Sequence, residues 1–460
     1  MKKLFLFLVS VLLFACPILS GCGGGVGADT IVVWQAGLDP NYKATLVQNP
    51  YNGTALFTKK IIDKFETDNP GKKVMLKFQG WGEGLNQAIT NAIISKEEVD
   101  LMPGEVYVQM LIDGDFFAEI PGDYKNIIAP FLYDKYNTPT KTYAVPAYTS
   151  SFALYANRTT LTVAGVIKSN GDNTQAFNDS KPGNENIEPL SPATMEDMLT
   201  VCEFIKDKYY DVSGNRNGNT GGMIINDIKL DSHWRALAFL RQAGGDFADA
   251  QGNVTLDSPA NRKAFAMMQA LNATAPRNSS GSTYTNNIFD YFYSDKTAYI
   301  LDGGAVAMQA PSSCDFVVSE LPVFEGVNIK SNVVVGTVYY SIPAHSKKQE
   351  LAKKFIDVLL SDEIQKAAVQ IDYRIPAVKS VLDDPEIRTE EYNYSVIKSY
   401  MAPFIDSGYQ DVKTLHAFSK NISLIWDEWD SFVLSVFTQG NSFLNYIVQA
   451  HNNMAGFLNQ

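Results

Sequence analysis

The sequence predicts an α/β protein built as two lobes. Short apolar runs alternate with segments of helical periodicity along nearly the whole chain, a pattern typical of sheets covered by helices. The 460-residue chain also exceeds what one hydrophobic core normally accommodates, even after an N-terminal leader of 21 residues is subtracted. An aromatic content of 12% supplies enough large side chains for two cores.

The first part of the chain alternates predicted strands with predicted helices. Ile61, Ile62 and Phe65 recur at helical spacing, which marks the first helix. Short apolar runs on either side of it mark strands. In order, the predicted elements are a strand Ile31–Trp34, a helix Phe57–Thr67, a strand Val74–Phe78, a helix Leu85–Ile94 and a short apolar strand Val99–Met102. Two extended pieces follow, Tyr143–Pro146 and Phe152–Tyr155.

Capping residues fix the starts of the later helices. Thr194-x-x-Asp197 is a capping box before a helix that begins near Met195. Ser258 can cap a helix whose first turn holds Pro259. Ser346-x-x-Gln349 opens another helix, which runs to about Leu360. Two polar stretches are expected to be surface loops, Ser169–Pro192 and Asn272–Asn287.

The N-terminus has the order of a secretory signal peptide. Lys2 and Lys3 precede an apolar run, and Leu19-Ser20-Gly21-Cys22 follows it. That ending resembles a bacterial lipobox, which implies cleavage before Cys22 and a lipid anchor on its thiol. Residues 23–28 then suit a flexible tether, because glycine-rich chains behave as coils.

Charge and motifs exclude several function classes. Without residues 1–21 the chain has 36 basic and 50 acidic residues, a formal charge of −14, which disfavours nucleic acid as a partner. The four histidines are scattered, so no zinc or other metal site is predicted. Neither a P-loop nor a nucleophile elbow occurs, and Asp211–Gly222 departs from a calcium loop at its turn glycine and its final glutamate. A disulfide between Cys202 and Cys314 is left open.

From Ile31 to about Pro376 the order of motifs resembles the extracellular solute-binding proteins of ABC importers, in the branch that takes sugars. Each motif is short, and their shared order is the specific signal. The motifs are Thr30-Ile-Val-Val-Trp34, Phe65-Glu-Thr-Asp-Asn-Pro70, Tyr143-Ala-Val-Pro146, Pro192-Ala-Thr-Met195, Gly244-Gly-Asp-Phe247 with Leu256-Asp-Ser-Pro259, Asp295 to Gly303, and Ser346-Lys-Lys348 with Leu359–Gln365.

The resemblance implies a periplasmic-binding-protein-like (type II) flytrap: two α/β lobes, three interdomain crossovers and a solute site between the lobes. The implied crossovers lie near Pro146–Ser150, Phe292–Asp295 and Tyr339–Ser341. The resulting division is a signal peptide at 1–21, a tether at 22–29, an N-terminal lobe at 30–146 and 295–339, and a C-terminal lobe at 147–294 and 340–460. The resemblance further implies a monomeric receptor without cofactor or chemistry, held at the cell envelope beside an ABC permease.

Sugar binding needs aromatic platforms beside carboxylates, amides or arginine. By the family's pattern, such residues follow the strands and the crossovers. The expected ligand contacts are Trp34, Gln35, Trp81, Glu83, Glu105, Tyr148, Trp234, Asp302, Tyr339, Tyr340, Tyr373 and Arg374, with Asp39 as a further possibility. Trp426 and Trp429 are expected in the core.

Two alternatives remain open at this stage. The bound solute could be a polyol, a glycerol phosphate or a polyamine instead of an oligosaccharide. An exported glycosidase is the alternative from a different class, since paired carboxylates meet in space and leave no sequence motif.

Overall fold

The computed structural model describes residues 26–35, 37–80, 82–104, 108–133, 136–209, 220–225, 232–249, 251–276, 288–327, 329, 337–389, 422–438 and 441–458. Its strands are β1 Thr30–Gln35, β2 Lys73–Phe78, β3 Met102–Gly104, β4 Val145–Thr149, β5 Ala153–Asn157, β6 Gly221–Met223, β7 Thr297–Asp302, β8 Phe316–Ser319, β9 Val338–Ser341 and β10 Ile375–Pro376.

The helices of the described ranges flank these strands. They are α1 Tyr42–Gln48, α2 Gly53–Asp68, α3 Gly82–Ser95, α4 Val108–Asp113, α5 Tyr124–Ile127, α6 Pro130–Tyr133, α7 Arg158–Val163, α8 Gln175–Ser180, α9 Met195–Tyr209, α10 Ser232–Gln242, α11 Pro259–Asn272, α12 Ile288–Tyr293, α13 Ala305–Gln309, α14 Gln349–Leu359, α15 Asp362–Asp372, α16 Lys379–Leu382, α17 Ile422–Val433 and α18 Ile447–Leu458. Shorter turns occur at Asn184–Asn186, Pro385–Arg388, Leu434–Thr438 and Phe443–Asn445.

Two separate sheets organise the described strands. The first has the order β10-β4-β9-β3, and the parallel pair β1-β2 adjoins it through a bridge between Val33 and Leu101. The second has the order β6-β7-β5-β8. The chain passes from the first sheet to the second between β4 and β5, a link of three residues, 150–152. This passage agrees with the first implied crossover.

The strand pairings depart from the expected division of the chain further along. β7 pairs with β5 and β6, so residues 297–302 belong to the second sheet, where the sequence placed them in the first lobe. β9 and β10 both pair with β4, so Tyr340 and the segment to Pro376 belong to the first sheet. One passage between the sheets therefore falls between β8, which pairs with β5, and β9, which pairs with β4. Helices α17 and α18 pack in the core of the second lobe, so the chain has returned to that lobe by residue 422.

Capping explains why several helices begin where the sequence predicted. The Thr194 and Asp197 side chains accept each other's backbone N–H at 3.0 and 3.2 Å. Ser258 accepts the Asn261 N–H at 3.2 Å, with proline at the start of α11. The Ser346 hydroxyl instead donates to the Asp100 carboxylate at 2.6 Å, and α14 begins three residues later.

Other elements differ from the predictions. α1 was not predicted, and the expected loop 169–192 contains α8 and a 3-10 turn. β3 begins at Met102, because the Asp100 carboxylate accepts the Val32 N–H at 2.9 Å and Leu101 forms only a single bridge. The segments 210–219 and 277–287 lie outside the described residues.

Buried aromatic side chains pack in both lobes, and the cluster of the first lobe continues into Tyr155 and Phe292 of the second. In the first lobe, Phe65 of α2 packs edge-on against Phe355 of α14 at a centroid distance of 5.5 Å. In the second, Trp429 of α17 is fully buried and packs edge-on against Phe247 at 5.0 Å, which confirms its predicted place in the core. Cys202 and Cys314 are free thiols. In the described part of the chain no helix is long and apolar enough to cross a membrane.

Candidate functional site

The facing edges of the two sheets carry the candidate site. The carboxyl ends of β1 and β4 and the amino end of β10 lie at one edge of the first sheet, as the strand register requires. The carboxyl end of β7 and the amino end of β5 lie together in the second sheet. Because only three residues join β4 to β5, Thr149 and Ala153 are at most about 14 Å apart. The two edges therefore meet at this crossover.

The turn after β1 is held by side chains from its own lobe. The Gln35 side-chain oxygen accepts the Leu38 N–H at 2.8 Å, and the Asp39 N–H donates to the Thr58 hydroxyl at 2.9 Å. Gly37 has a φ of +72°, a left-handed conformation that favours glycine. Gln35, an expected ligand contact, thus supports the turn from a buried position.

Arg374 lies at the centre of a cluster below that turn. Its guanidinium stacks on the Tyr148 ring, with 3.9 Å between the guanidinium carbon and the ring centroid. It donates to the Gly37 carbonyl at 2.6 Å and forms an ion pair with Asp372. Two expected contacts, Tyr148 and Arg374, are therefore brought together.

Asp372 is the buried anion of this cluster. Its carboxylate is fully inaccessible, and it accepts a hydrogen bond from the Thr54 hydroxyl at 3.1 Å as well as the ion pair with Arg374. Burial raises the pKa of the Asp372 carboxyl, and the Arg374 charge acts in the opposite direction. The expected contact Tyr373 lies between the two, half-buried, with a φ of +52° at the end of α15.

The Trp34 side chain lies on the face of β1 opposite to Val33, which packs in the same core as Tyr148. It is 1% exposed and packs among Leu85 and Ile89 of α3. Its indole N–H is buried without a hydrogen-bond acceptor among the described residues. An unsatisfied buried donor costs about 1–3 kcal/mol, and at 1% exposure the Trp34 side chain has a core position rather than a place at the sheet edge.

The second sheet contributes a carboxylate at the end of β7. Asp302 forms an ion pair with Arg235 of α10, whose Nε donates to Oδ2 at 3.0 Å. The other carboxylate oxygen accepts the Gly303 N–H at 2.7 Å, and the Tyr155 hydroxyl donates to the Gly303 carbonyl at 2.9 Å. Since Trp234 precedes Arg235, the first turn of α10 brings its backbone to this same place.

Tyr339 and Tyr340 have core positions in the first lobe. Both are at most 1% exposed, and the Tyr339 hydroxyl donates to the Leu132 carbonyl at 2.9 Å. Tyr339 also packs edge-on against Tyr136 at 4.8 Å. Burial raises the pKa of the Tyr339 hydroxyl. The structure therefore does not present these two expected contacts at the sheet edge.

The remaining expected residues are only partly described. Glu83 and Trp234 lie in the first turns of α3 and α10, where the structure describes the backbone alone. Trp81, Glu105 and Cys22 lie outside the described residues, and so does the side chain of Trp426.

Sequence reasoning missed five members of these clusters: Arg235, Asp372, Gly37, Thr54 and Met308. The Thr54 hydroxyl lies 3.0 Å from the Met308 sulfur, which brings α2 of the first lobe against α13 after β7. Asp372 is two residues before Arg374, a spacing that could have indicated a local ion pair. The other contacts join residues far apart in sequence and leave no local signal.

Comparison with known proteins gives the same architecture. The sequence profile described as "Bacterial extracellular solute-binding protein" matches residues 51–366, well over half of the chain. Comparison with curated proteins gives no match.

Solved structures of the same shape are sugar receptors at low identity. The GacH receptor of Streptomyces glaucescens, solved unliganded and with acarbose, is 19% identical, with a TM-score of 0.67 over 94% of this chain and 98% of its own. The maltodextrin-binding domain MalE of Bdellovibrio bacteriovorus, bound to maltotriose, is 17% identical, with a TM-score of 0.67 over 94% and 100%. Maltose-bound T. maritima MalE3 is 16% identical, with a TM-score of 0.68 over 94% and 99%. These likenesses establish a two-lobe periplasmic-binding-protein fold.

Proposed function

Because this chain belongs to the family of bacterial extracellular solute-binding proteins, we propose that it captures a carbohydrate, in particular an oligosaccharide, and delivers it to an ABC permease. Members of the family are non-catalytic receptors that bind a small solute outside the cytoplasm. The alternative of an exported glycosidase is therefore set aside, and the open question is which solute is bound.

The observation that carries the sugar proposal is the carboxylate of Asp302 beside Arg235. In such a pair the carboxylate accepts hydrogen bonds from sugar hydroxyls and the guanidinium donates to hydroxyl oxygens. One pair can therefore bind two neighbouring hydroxyl groups of a sugar. The pair is not sealed: its side chains are 11% and 12% exposed. It lies at the sheet edge that faces Tyr148 and the Gly37 turn.

Charge balance disfavours a phosphate solute. The described residues of the two clusters include two arginines, Arg235 and Arg374, and two aspartates, Asp302 and Asp372, each in an ion pair. A phosphate ligand would be favoured by excess cations, and the described residues of these clusters supply no excess. Glu83 and Glu105, two expected contacts outside this count, add carboxylates that would favour a polyamine, so spermidine is the solute that the binding test must distinguish from a sugar.

Of the expected contacts, we propose Tyr148, Trp234 and Asp302 as the solute-binding set, joined by Trp81, Glu83 and Glu105, which follow β2 and β3 in the sequence. The second lobe contributes Asp302, and we assign the buried Trp34 to the core beside α3. We assign Gln35, Tyr373 and Arg374 to supporting that site, and Tyr339 and Tyr340 to the core.

The test is native mass spectrometry of the protein with maltotriose and a panel of other oligosaccharides, polyols, glycerol phosphate and spermidine. We expect a retained oligosaccharide complex and no turnover. The Asp302→Asn variant should lose about tenfold in affinity, corresponding to one charge-assisted hydrogen bond. The matched control is Asp315→Asn, because Asp315 pairs with Arg158 at an exposed site. Binding of spermidine or glycerol phosphate alone would refute the sugar proposal.

We propose in addition that Cys22 carries the lipid anchor. The tether that follows it leads to β1 at its amino end, opposite the edge that carries the solute site. An anchor there leaves the solute site unobstructed. Cys22→Ser should release the protein from the membrane into the soluble fraction, and unchanged membrane association would contradict lipidation at this residue.

A further inference from the structure

One hydroxyl group connects the two lobes. Thr54, in the first turn of α2, has its Oγ at 3.0 Å from the Met308 sulfur and 3.1 Å from the Asp372 carboxylate. Asp372 belongs to the first lobe, since it ends α15, which packs on α2. Met308 belongs to the second lobe, because α13 lies between β7 and β8, which both pair with β5. The contact between Thr54 and Met308 is therefore an interlobe contact.

A hydrogen bond within the second lobe anchors the helix that carries Met308. The Tyr293 hydroxyl of α12 donates to the Val306 carbonyl at 2.6 Å, which fastens α13 to the helix before β7. On the opposite side, Gly53 approaches closely: a Cβ there would lie 2.5 Å from the Ile371 carbonyl oxygen and 3.4 Å from Met308. The absence of a side chain at Gly53 lets these three segments meet.

The same hydroxyl also connects to the turn after β1. Thr54 donates to one oxygen of Asp372, while Arg374 pairs with the other. Arg374 in turn donates to the Gly37 carbonyl. A continuous chain of contacts thus runs from the second lobe to a turn of the proposed solute site. The Thr54 hydroxyl has one hydrogen, for which the Met308 sulfur and the Asp372 carboxylate compete, so separating the lobes leaves Asp372 as the acceptor of the two.

We propose that Thr54 is an interlobe joint that stabilises the lobe arrangement seen here and, through Asp372 and Arg374, couples that arrangement to the Gly37 turn. Arg374 is in this assignment a positioning residue, because its guanidinium is occupied by Asp372, Tyr148 and the Gly37 carbonyl. The proposal rests on the two-lobe architecture and not on the identity of the solute.

The first experiment measures the distance between the lobes without any solute. Spin labels are placed at Ile94→Cys on α3 and Val163→Cys on α7, which are 76% and 65% exposed, in a Cys22→Ser, Cys314→Ser background. Pulsed electron resonance then gives the populations of near and separated lobes. Thr54→Val should increase the ratio of separated to near lobes about threefold, as expected for one weak hydrogen bond. Met308→Ala should act in the same direction.

Two controls isolate the hydroxyl group. Thr54→Ser restores it and should restore the original distribution, while Thr67→Val, at an exposed position of the same helix, should change nothing. Thermal unfolding confirms that each variant is folded. If the distribution of interlobe distances in Thr54→Val coincides with the distributions in the parent and in Thr67→Val, the proposal that Thr54 joins the lobes is wrong.

The coupling to the turn has its own readout. Thr54→Val should accelerate amide hydrogen exchange in the peptide that covers residues 35–39, and Thr67→Val should not. Altered lobe distances with unchanged exchange in that peptide would overturn the coupling. Because no solute is present, failure of the sugar proposal would leave both results interpretable.

Discussion

The two lobes each carry a buried arginine–aspartate pair at the edge that faces the other lobe, and the two pairs differ in how far solvent reaches the carboxylate. In the first lobe the Asp372 carboxylate is fully buried, while the Arg374 side chain keeps 15% of its surface exposed and contacts Tyr148 and the Gly37 carbonyl. In the second lobe Arg235 and Asp302 keep 11% and 12% of their side-chain surface exposed. The two pairs therefore differ at the carboxylate, which solvent reaches in Asp302 and not in Asp372, and we call the first the sealed pair and the second the open pair.

The difference follows from where each pair lies in the chain. Asp372 and Arg374 are two residues apart at the end of α15, so the helix end brings them together, and the surrounding first lobe closes over the Asp372 carboxylate. Arg235 and Asp302 come from α10 and β7 and lie 67 residues apart in the sequence. A charge pair at the rim of a lobe can exchange partners with a ligand at little cost, whereas a sealed pair cannot.

The largest expected effect comes from breaking the sealed pair. Arg374→Ala leaves Asp372 as an uncompensated buried charge, which should reduce the free energy of unfolding by about 3–5 kcal/mol near neutral pH. Denaturation in guanidinium chloride measures this loss. Arg374→Lys keeps the charge and should lose less.

The pH dependence of that loss identifies its cause. Burial raises the pKa of Asp372 in the folded state, and removing the Arg374 charge raises it further. The ionised carboxylate therefore destabilises the folded variant, and protonation relieves this as the pH falls through the folded pKa towards the unfolded value near 3.9. The difference in free energy of unfolding between Arg374→Ala and the parent should therefore become smaller as the pH is lowered. If the difference in free energy of unfolding is the same at pH 7 and pH 5, the loss comes from the packing of the Arg374 side chain and not from the uncompensated charge of Asp372.

An intermediate effect is expected at the turn that the sealed pair supports. Gly37→Ala forces an L-residue into a φ of +72°, and its Cβ would lie 2.7 Å from both the Arg374 guanidinium and the Tyr148 hydroxyl. The conformational part alone costs about 1–2 kcal/mol. Affinity for maltotriose should fall together with stability, as calorimetry and thermal unfolding would reveal.

A glycine outside the clusters provides the control for Gly37. Gly71→Ala faces a similar φ of +82° with nothing within 4 Å of the added Cβ. It should lose stability and retain affinity. If Gly37→Ala and Gly71→Ala lose the same affinity for maltotriose, the Gly37 turn has no specific role in solute binding.

The sequence predicted the fold better than it predicted these clusters, for physical reasons that particular residues illustrate. Ser258 with Pro259 and Thr194 with Asp197 set helix starts through contacts within three residues, so the sequence alone revealed them. The predicted division places β7 in the other lobe and cuts β9 between Tyr339 and Tyr340, since strand pairing depends on partners over a hundred residues away, as between Ala153 and Asp302.

The same distance dependence limited the prediction of the site. Tyr148 is expected after the first crossover, Asp302 at the end of a strand and Arg374 just before Ile375-Pro376, and the structure places all three at strand ends on the facing edges. Tyr339 also lies at a strand, yet its side chain turns into the core, and a sequence position beside a strand does not say which face is buried. Thr54 and Met308 were not expected, because the lobes bring them together from 254 residues apart.

The smallest expected effect distinguishes the Tyr155 hydroxyl, which supports the turn beside Asp302, from the Tyr339 hydroxyl, which lies in the core of the first lobe. Tyr155→Phe removes a hydrogen bond to the Gly303 carbonyl, and Tyr339→Phe removes one to the Leu132 carbonyl. Each should cost about 1 kcal/mol of stability. Only Tyr155→Phe should weaken maltotriose binding, by about twofold to threefold, because Gly303 donates to Asp302 and a looser turn misplaces that carboxylate. Equal affinities in the two variants would mean that the Asp302 carboxylate does not depend on the turn behind it, and that Arg235 alone holds it in place.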